Sequence, residues 1–234
     1  MQINTTNEVK EFHNHNSNFI TDVVIGMSDG LTVPFALAAG VSGVVASNAI
    51  VTTAGIAEII AGSIAMGLGG YLAGSTVIHQ YQAELKREYD EVELYPEKEK
   101  QEVRDIFKDY GFSETSQHLL VEELAKDKHK WVDFMMKFEL GLEKPNANQA
   151  RNSALTIGGS YIVGGIIPLL PYFFTKTPTQ GLVYSAIFTL LSLFVFGYFK
   201  SKVTDQPPII GALKVTIIGV LAAGAAYGIA RAIG

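Results

Sequence analysis

Carboxylates and a methionine occur inside runs of sequence that are otherwise apolar enough to enter a lipid bilayer. The first run begins FITDVVIGMSDGLTVPFALAAG and carries Asp22 and Asp29. The second run carries Glu58 and, eight residues later, Met66. An ionised carboxylate at the bilayer centre costs at least ~2.5–3.5 kcal/mol, so such groups usually face a bundle interior or a wet cavity and mark ion or proton pathways.

The spacing of these residues indicates a ligand set for a divalent metal ion. Asp22 and Asp29 are seven apart and share a helix face to within about 20°. Asp22 lies near the end of its run, where interfacial water solvates it, which leaves Asp29 as the deeper group. Carboxylates are hard ligands and the Met66 thioether is a soft one, a mixture that suits a borderline ion such as Fe(II). The alternative is that Met66 only fills the core.

A second set of carboxylates lies in a charge-rich segment, because 28 of the 41 charged residues fall between Glu84 and Lys144. Glutamates three or four apart share a helix face and repel each other unless a cation joins them. The residues that this spacing brings onto common faces are Glu84, Glu88, Glu91, Glu99 and Glu102, and the stretch WVDFMMKFELGLEK adds Met135, Met136 and Glu139 as candidate metal ligands. The alternative is a solvated acidic face neutralised by Lys86, Arg87, Lys98 and Lys100.

The pattern of apolar residues predicts an all-α membrane protein. Five apolar runs, each near the ~20 residues that a helix needs to cross the hydrocarbon core, lie at about 19–41, 48–78, 153–174, 181–199 and 208–230. Lipid offers the backbone no hydrogen-bond partners, so these runs must be helices. The predicted organisation is a flexible tail (1–18), membrane helices 1 and 2 (19–80), an inserted helical metal-binding domain (81–148) and membrane helices 3 to 5 (149–234).

Local signals within the inserted segment predict separate short helices. Pro96 fits the first turn of a helix, Gly111 fits a helix end, and Ser113 fits the N-cap of the next helix. Basic residues concentrate in and beside this segment, whereas the 41–48 loop has no charge. By the positive-inside bias, the N-terminus and the inserted domain are predicted to be cytosolic.

Composition excludes several classes of function. The chain has no cysteine, so thiolate metal sites and cysteine nucleophiles are excluded. A net charge of −5 gives no basic field for nucleic acid. The Glu-x-x-His pairs of di-iron bundles and any nucleophile–base pair are missing, so an enzyme such as a ferroxidase ranks last and no prosthetic group is expected.

Three long motifs resemble the vacuolar iron transporter family, in the form that carries a cytosolic metal-binding domain. The motifs are DVVIGMSDGLTVPFALAAGVSG, AGIAEIIAGSIAMGLGGYLAG and WVDFMMKFELGLEKP, and the resemblance runs from about residue 20 onward. It implies a five-helix homodimer with a pore at the interface, which moves Fe(II) out of the cytosol in exchange for protons. It also implies that Asp29, Glu58 and Met66 line the pore. The residues of the inserted domain that it implies gather metal are Glu88, Glu91, Glu99, Glu102, Met135, Met136 and Glu139.

The expected location is a vacuolar or equivalent membrane in a eukaryote and the cell membrane in a prokaryote. Two alternatives to iron transport remain open on the residues themselves. One is transport of Mn(II), Zn(II) or Co(II), which oxygen and thioether ligands also accept. The other is a membrane-tethered metal sensor or buffer that transports nothing.

Overall fold

The structure is a computed structural model that describes residues 17–234, with side chains from residue 19. Residues 1–16 of the predicted tail (1–18) lie outside the described residues. Within the described range, all regular structure is α-helical. In chain order the helices are α1 (Ser17–Ser42), α2 (Asn48–Leu94), α3 (Pro96–Asp109), α4 (Glu114–Leu124), α5 (Lys128–Phe138), α6 (Gln149–Phe174), α7 (Pro178–Val203) and α8 (Pro208–Ile233).

Five of these helices, α1, α2, α6, α7 and α8, are long and apolar enough to cross a membrane, which confirms the predicted number. Most extend beyond their apolar runs. In α7, for example, Lys200 and Lys202 continue the last turn past residue 199, because a helix needs no apolar side chains once it leaves lipid. At 47 residues, α2 is about 70 Å long, more than twice the ~30 Å thickness of the hydrocarbon core.

The chain forms two compact units. The first, the membrane unit, comprises the described residues up to Tyr71 together with residues 152–234. The second, the inserted unit, comprises residues 72–151. Helix α2 is continuous through the boundary at Tyr71, so its first half belongs to the membrane unit and its second half to the inserted unit.

Close helix contacts in the membrane unit form around α1 and α6. A methyl group added at Gly164 of α6 would lie 2.9 Å from the backbone nitrogen of Leu31 on α1. Helix α1 also packs against α7 and α8. At the start of α2, the Asn48 side-chain amide donates to the carbonyls of Tyr172 (3.1 Å) and Thr175 (2.7 Å) at the end of α6. Small residues and paired polar groups therefore take the place of a hydrophobic driving force, which lipid does not supply.

The inserted unit is organised by the helix signals read from the sequence. Pro96 opens α3, Gly111 follows its end with a φ of 84°, and the Ser113 hydroxyl accepts from the Ser116 amide at 3.3 Å. These three predictions are confirmed. Helix α5 is capped in the same way, because the Asp127 carboxylate accepts from the amide of His129 at 3.1 Å. The buried core of this unit consists of Val92, Val103, Val121, Trp131, Val132, Met135 and Met136.

We expect Gly164→Ala to destabilise the membrane unit, because the added methyl would meet the backbone of α1. Overpacking of this kind costs about 1–3 kcal/mol. The Tm in detergent micelles, followed by circular dichroism, should fall by several degrees. Gly159→Ala on the same helix is the matched control, since nothing lies within 4 Å of the added atom. If the two variants had equal Tm values, close packing at Gly164 would be rejected.

Candidate metal sites

The carboxylate of Glu58 is held by a tyrosine from a neighbouring helix. Tyr161 of α6 is 2% exposed, and its hydroxyl donates to Oε1 of Glu58. The ring fits beside α2 because Gly62 has no side chain, and a methyl there would lie 2.7 Å from Cε1 of Tyr161. The second oxygen, Oε2 of Glu58, is buried without a hydrogen-bond partner among the described residues. The hydrogen-bonding capacity of this carboxylate is therefore met on one oxygen and unmet on the other within the described residues.

Asp29 lies half-buried on α1, on the part of that helix that packs against α6. The close approach is made at Gly30, where an added methyl would lie 2.9 Å from the backbone carbon of Tyr161. Tyr161 therefore contacts both helices that carry the membrane carboxylates. Across the described part of the chain, neither Asp29 nor Glu58 forms an ion pair with a lysine or arginine.

Met66 lies two turns after Glu58 on the same ridge of α2. On this ridge, Gly62 lies between Glu58 and Met66, and Gly70 lies one turn beyond Met66. Both glycines contact α6. Glu58 and Met66 are thus half-buried at the edge of the α2–α6 contact. The structure thus places both side chains at the edge of the same helix contact. Metal binding by Glu58 and Met66 stays a prediction.

Tyr161 is a site residue that the spacing of charged residues in the sequence did not predict. The available signal was a polar side chain in the run GGSYIVGG, where glycines on both sides allow two other helices to approach. A tyrosine in an apolar helix is usually attributed to packing.

The inserted unit brings five glutamates together from three helices. One set of three is Glu88, Glu91 and Glu99, and a second set is Glu99, Glu102 and Glu139. Within each set, one carboxylate oxygen from each residue lies within 4.8 Å of the others. We call these five residues the glutamate cluster. Helices α2 and α3 supply the first four, and Glu139 is the residue that caps the C-terminal end of α5.

Glu99 is the centre of the glutamate cluster. It belongs to both sets, is 0% exposed, and its Oε2 has no hydrogen-bond partner among the described residues. Burial, together with the negative charge of Glu102, raises the pKa of Glu99 to about 7. Burial of the carboxylate and the charge of Glu102 also raise the pKa of Glu139, although that residue as a whole is exposed. The cluster therefore favours either protons or a cation.

Met135 and Met136 lie in the hydrophobic core of the inserted unit, 0% and 1% exposed. They pack with Trp131 in that core, as side chains that fill a hydrophobic core do. The backbone of Met135 also accepts from the amide of Glu139 at 3.0 Å, which fixes the end of α5 at the cluster. Their predicted role as sulfur ligands stays a prediction.

Basic side chains meet part of the cluster. Lys98 Nζ lies 2.9 Å from Oε1 of Glu102 and 3.5 Å from Oε1 of Glu99. Arg87 lies 3.7 Å from Glu91. Lys100 instead donates to Glu122. The alternative of a neutralised acidic face therefore holds for some glutamates, but it leaves the buried Oε2 of Glu99 unpaired.

Comparison with known proteins assigns the chain to a family. The model of the VIT family matches residues 20–231, which include all the candidate ligands. The chain belongs to the VIT family. Among similar proteins, Vacuolar iron transporter 1 of Eucalyptus grandis is 49% identical over 224 residues, which cover 96% of this chain and 90% of the relative. Vacuolar iron transporter 1 of Arabidopsis thaliana is 47% identical over 223 residues, covering 95% and 89%.

A more distant VIT-family relative is Protein CCC1 of Saccharomyces cerevisiae, 37% identical over 235 residues, which cover 95% of this chain and 71% of the relative. The similarity extends through both the membrane unit and the inserted unit of this VIT-family chain. It confirms the resemblance that the three motifs indicated.

The raised pKa of Glu99 predicts that the metal-free inserted unit loses stability as pH rises. The unfolded chain loses this proton near pH 4.5, whereas the folded chain keeps it until about pH 7. Between these values the folded state binds more protons, so the free energy of unfolding falls by up to about 3 kcal/mol and is constant above pH 7. Thermal unfolding of the chelator-treated chain, followed from pH 4.5 to 8 by the fluorescence of Trp131, measures this fall.

Trp131 is the single tryptophan and lies in the core of the inserted unit, so its emission reports that unit. Glu99→Gln should unfold with a weaker pH dependence over the same range, and Glu88, whose pKa burial and the charge of Glu139 also raise to about 7, accounts for the part that remains. A wild-type Tm that rises between pH 5 and 7 would contradict the buried, protonated state of Glu99.

Proposed function

We propose that the chain is an integral membrane iron transporter, which moves Fe(II) out of the cytosol in exchange for protons. The observation that carries the proposal is the state of the membrane carboxylates. Asp29 and Glu58 lie among apolar helices, and among the described residues no basic side chain pairs with them and one oxygen of Glu58 has no hydrogen-bond partner. Relatives that match over nearly the whole chain are named vacuolar iron transporters, which supports iron as the cargo.

The glutamate cluster is the proposed collecting site for Fe(II). It combines five carboxylates, buried oxygens of Glu88 and Glu99 have no hydrogen-bond partner among the described residues, and oxygen ligands of this kind bind divalent cations. Placing the inserted unit in the cytosol follows from the bias of basic residues toward it. The cluster would then raise the Fe(II) concentration on the side from which iron leaves.

The proposed route through the membrane follows the depth of the ligands. With the inserted unit in the cytosol, α2 runs toward the cytosol, so Met66 lies closer to that side than Glu58. Fe(II) passes first to Met66 and Glu58 and then to Asp29 on α1. Tyr161 holds one oxygen of Glu58 and leaves the other to bind the ion.

Proton exchange needs no machinery beyond the same carboxylates. A carboxyl group removed from water favours its neutral form, whereas a bound cation favours the ionised form. An entering Fe(II) therefore releases a proton, and a proton arriving from the opposite side releases the metal. The proposed role is transport rather than catalysis.

A homodimer with the pore at its interface is supported by one face of α2. Four consecutive positions of this face, spaced by four residues, are small and exposed: Ala57, Ala61, Ala65 and Gly69. Small residues at this spacing allow two membrane helices to approach closely. This face lies next to Glu58 and Met66, so pairing α2 with its copy would bring two sets of ligands together. Among the described residues, one chain supplies two carboxylates deep in its membrane helices, Asp29 and Glu58.

The proposed location is the membrane of a vacuole. The names of the matching relatives and the five apolar helices support it. Export from the cytosol into such a compartment is consistent with the orientation proposed above.

Transport by purified protein in proteoliposomes tests this proposal. We expect anaerobic Fe(II) uptake that an imposed pH gradient accelerates, and uptake at background level for Asp29→Asn and Glu58→Gln. Each substitution keeps the side-chain shape but removes the charge that binds metal. Asp205→Asn is the matched control, because Asp205 is exposed in a loop with a positive φ that asparagine also tolerates.

Wild-type rates in either membrane variant would reject that residue as a ligand. Fe(II) binding without flux at any pH gradient would instead support a sensor or buffer. Faster uptake of Mn(II), Zn(II) or Co(II) in competition with Fe(II) would reassign the cargo.

Cysteine cross-linking tests the proposed homodimer directly, because the natural chain has no cysteine. We expect Ala65→Cys to form disulfide-linked dimers rapidly in membranes treated with a mild oxidant. Ile218→Cys is the control, since Ile218 is also exposed but lies on α8. Equal cross-linking of the two variants, or none at Ala65, would contradict an interface on this face of α2.

A further inference from the structure

Lys98 holds a position in the glutamate cluster that a metal ion would also occupy. Its ammonium lies 2.9 Å from Oε1 of Glu102 and 3.5 Å from Oε1 of Glu99. These are two of the three glutamates of the second set. The Lys98 side chain is 62% exposed, so it reaches the buried Glu99 from the solvent side and can withdraw into water.

Lys100, two residues later on α3, shows the contrasting arrangement. Its ammonium is 17% exposed and lies 3.0 Å and 3.1 Å from the two oxygens of Glu122 on α4. Glu122 is outside the glutamate cluster. Lys100 therefore ties α3 to α4, whereas the ion pairs that Lys98 forms with described residues are all to candidate ligands.

We propose that Lys98 is a resident counterion of the metal-free cluster, displaced when a divalent cation binds, and that it thereby sets the affinity and the release rate of the site. This inference rests on the proposed function of the cluster as an Fe(II) site. A lysine ammonium carries one charge and is strongly hydrated, so it stabilises the empty cluster without competing strongly against a divalent ion. An exposed ion pair of this kind is weak, which keeps the exchange reversible.

The same arrangement appears on the other side of the cluster. Arg87 lies 2.9 Å from Oε2 of Glu84 and 3.7 Å from Oε1 of Glu91, and it is 54% exposed. Glu91 belongs to the first set of three. Arg87 thus contacts the first set, whereas Lys98 contacts both sets through Glu99 and makes the closer contact with candidate ligands.

Fe(II) binding to the full chain tests this proposal. The parent chain for this test is prepared with Asp29→Asn and Glu58→Gln, so that Fe(II) does not bind at the membrane ligands. Anaerobic calorimetry in detergent then gives the Kd of the glutamate cluster for Fe(II). We expect Lys98→Gln to lower the Kd by about threefold to tenfold, since the competing ammonium is gone. Stopped-flow extraction of Fe(II) by a chelator should be slower by a similar factor.

Two controls separate displacement from a general change of charge. Lys100→Gln removes the same charge from the same helix and should alter the Kd less than twofold. Lys98→Arg keeps a cation at the site and should stay within twofold of the parent chain. Equal Kd values for the Lys98→Gln and Lys100→Gln variants, or weaker binding by Lys98→Gln, would overturn the role of Lys98.

A separate outcome would reject the glutamate cluster itself as a metal site. If the parent chain bound no Fe(II), and Glu99→Gln changed nothing, the glutamate cluster would not be a metal site and the inference about Lys98 would fall with it. Binding by the parent chain that Glu99→Gln abolishes, with no effect of Lys98→Gln, would leave the metal site intact and reject the counterion alone.

Discussion

The structure depends on one electrostatic constraint: a carboxylate removed from water needs a proton or a positive partner. The fold places carboxylates in low-dielectric surroundings twice, in the membrane unit and in the inserted unit. In both places its own polar groups satisfy them only in part. Among the described residues, Tyr161 leaves one oxygen of Glu58 without a hydrogen-bond partner, and both oxygens of Glu99 lack one although Lys98 lies 3.5 Å from Oε1. These unsatisfied oxygens are where exchangeable cations would bind.

The two sites differ in the group that serves each carboxylate, and this difference fits their proposed tasks. A neutral phenol fixes the orientation of Glu58 without cancelling its charge, which suits a residue that must alternate between proton and metal. An exposed ammonium balances the charge of the glutamate cluster and can leave without disturbing the buried core. Glycines make the first arrangement possible, because they let α1 and α2 approach Tyr161 on α6.

The sequence predicted the five membrane helices and the helix caps of the inserted unit, because apolar length and capping residues act locally. It also gave the candidate ligands, partly through the family resemblance. It could not show that Glu99 is the shared centre of the cluster, since Glu88 and Glu139 are brought to it by tertiary packing. The contact of Tyr161 with Glu58 and the different partners of Lys98 and Lys100 depend on which helices face each other. Residue spacing along one helix does not contain that information.

The most direct test of the account is the number of protons released when Fe(II) binds. Anaerobic calorimetry of the full chain in buffers of different ionisation enthalpy measures this number. With the pKa of Glu99 at about 7, binding at pH 6 should release about one proton or more per ion, and binding at pH 8.5 should release clearly fewer. Fe(II) binding that releases no protons at either pH would contradict the exchange of protons for metal at these carboxylates.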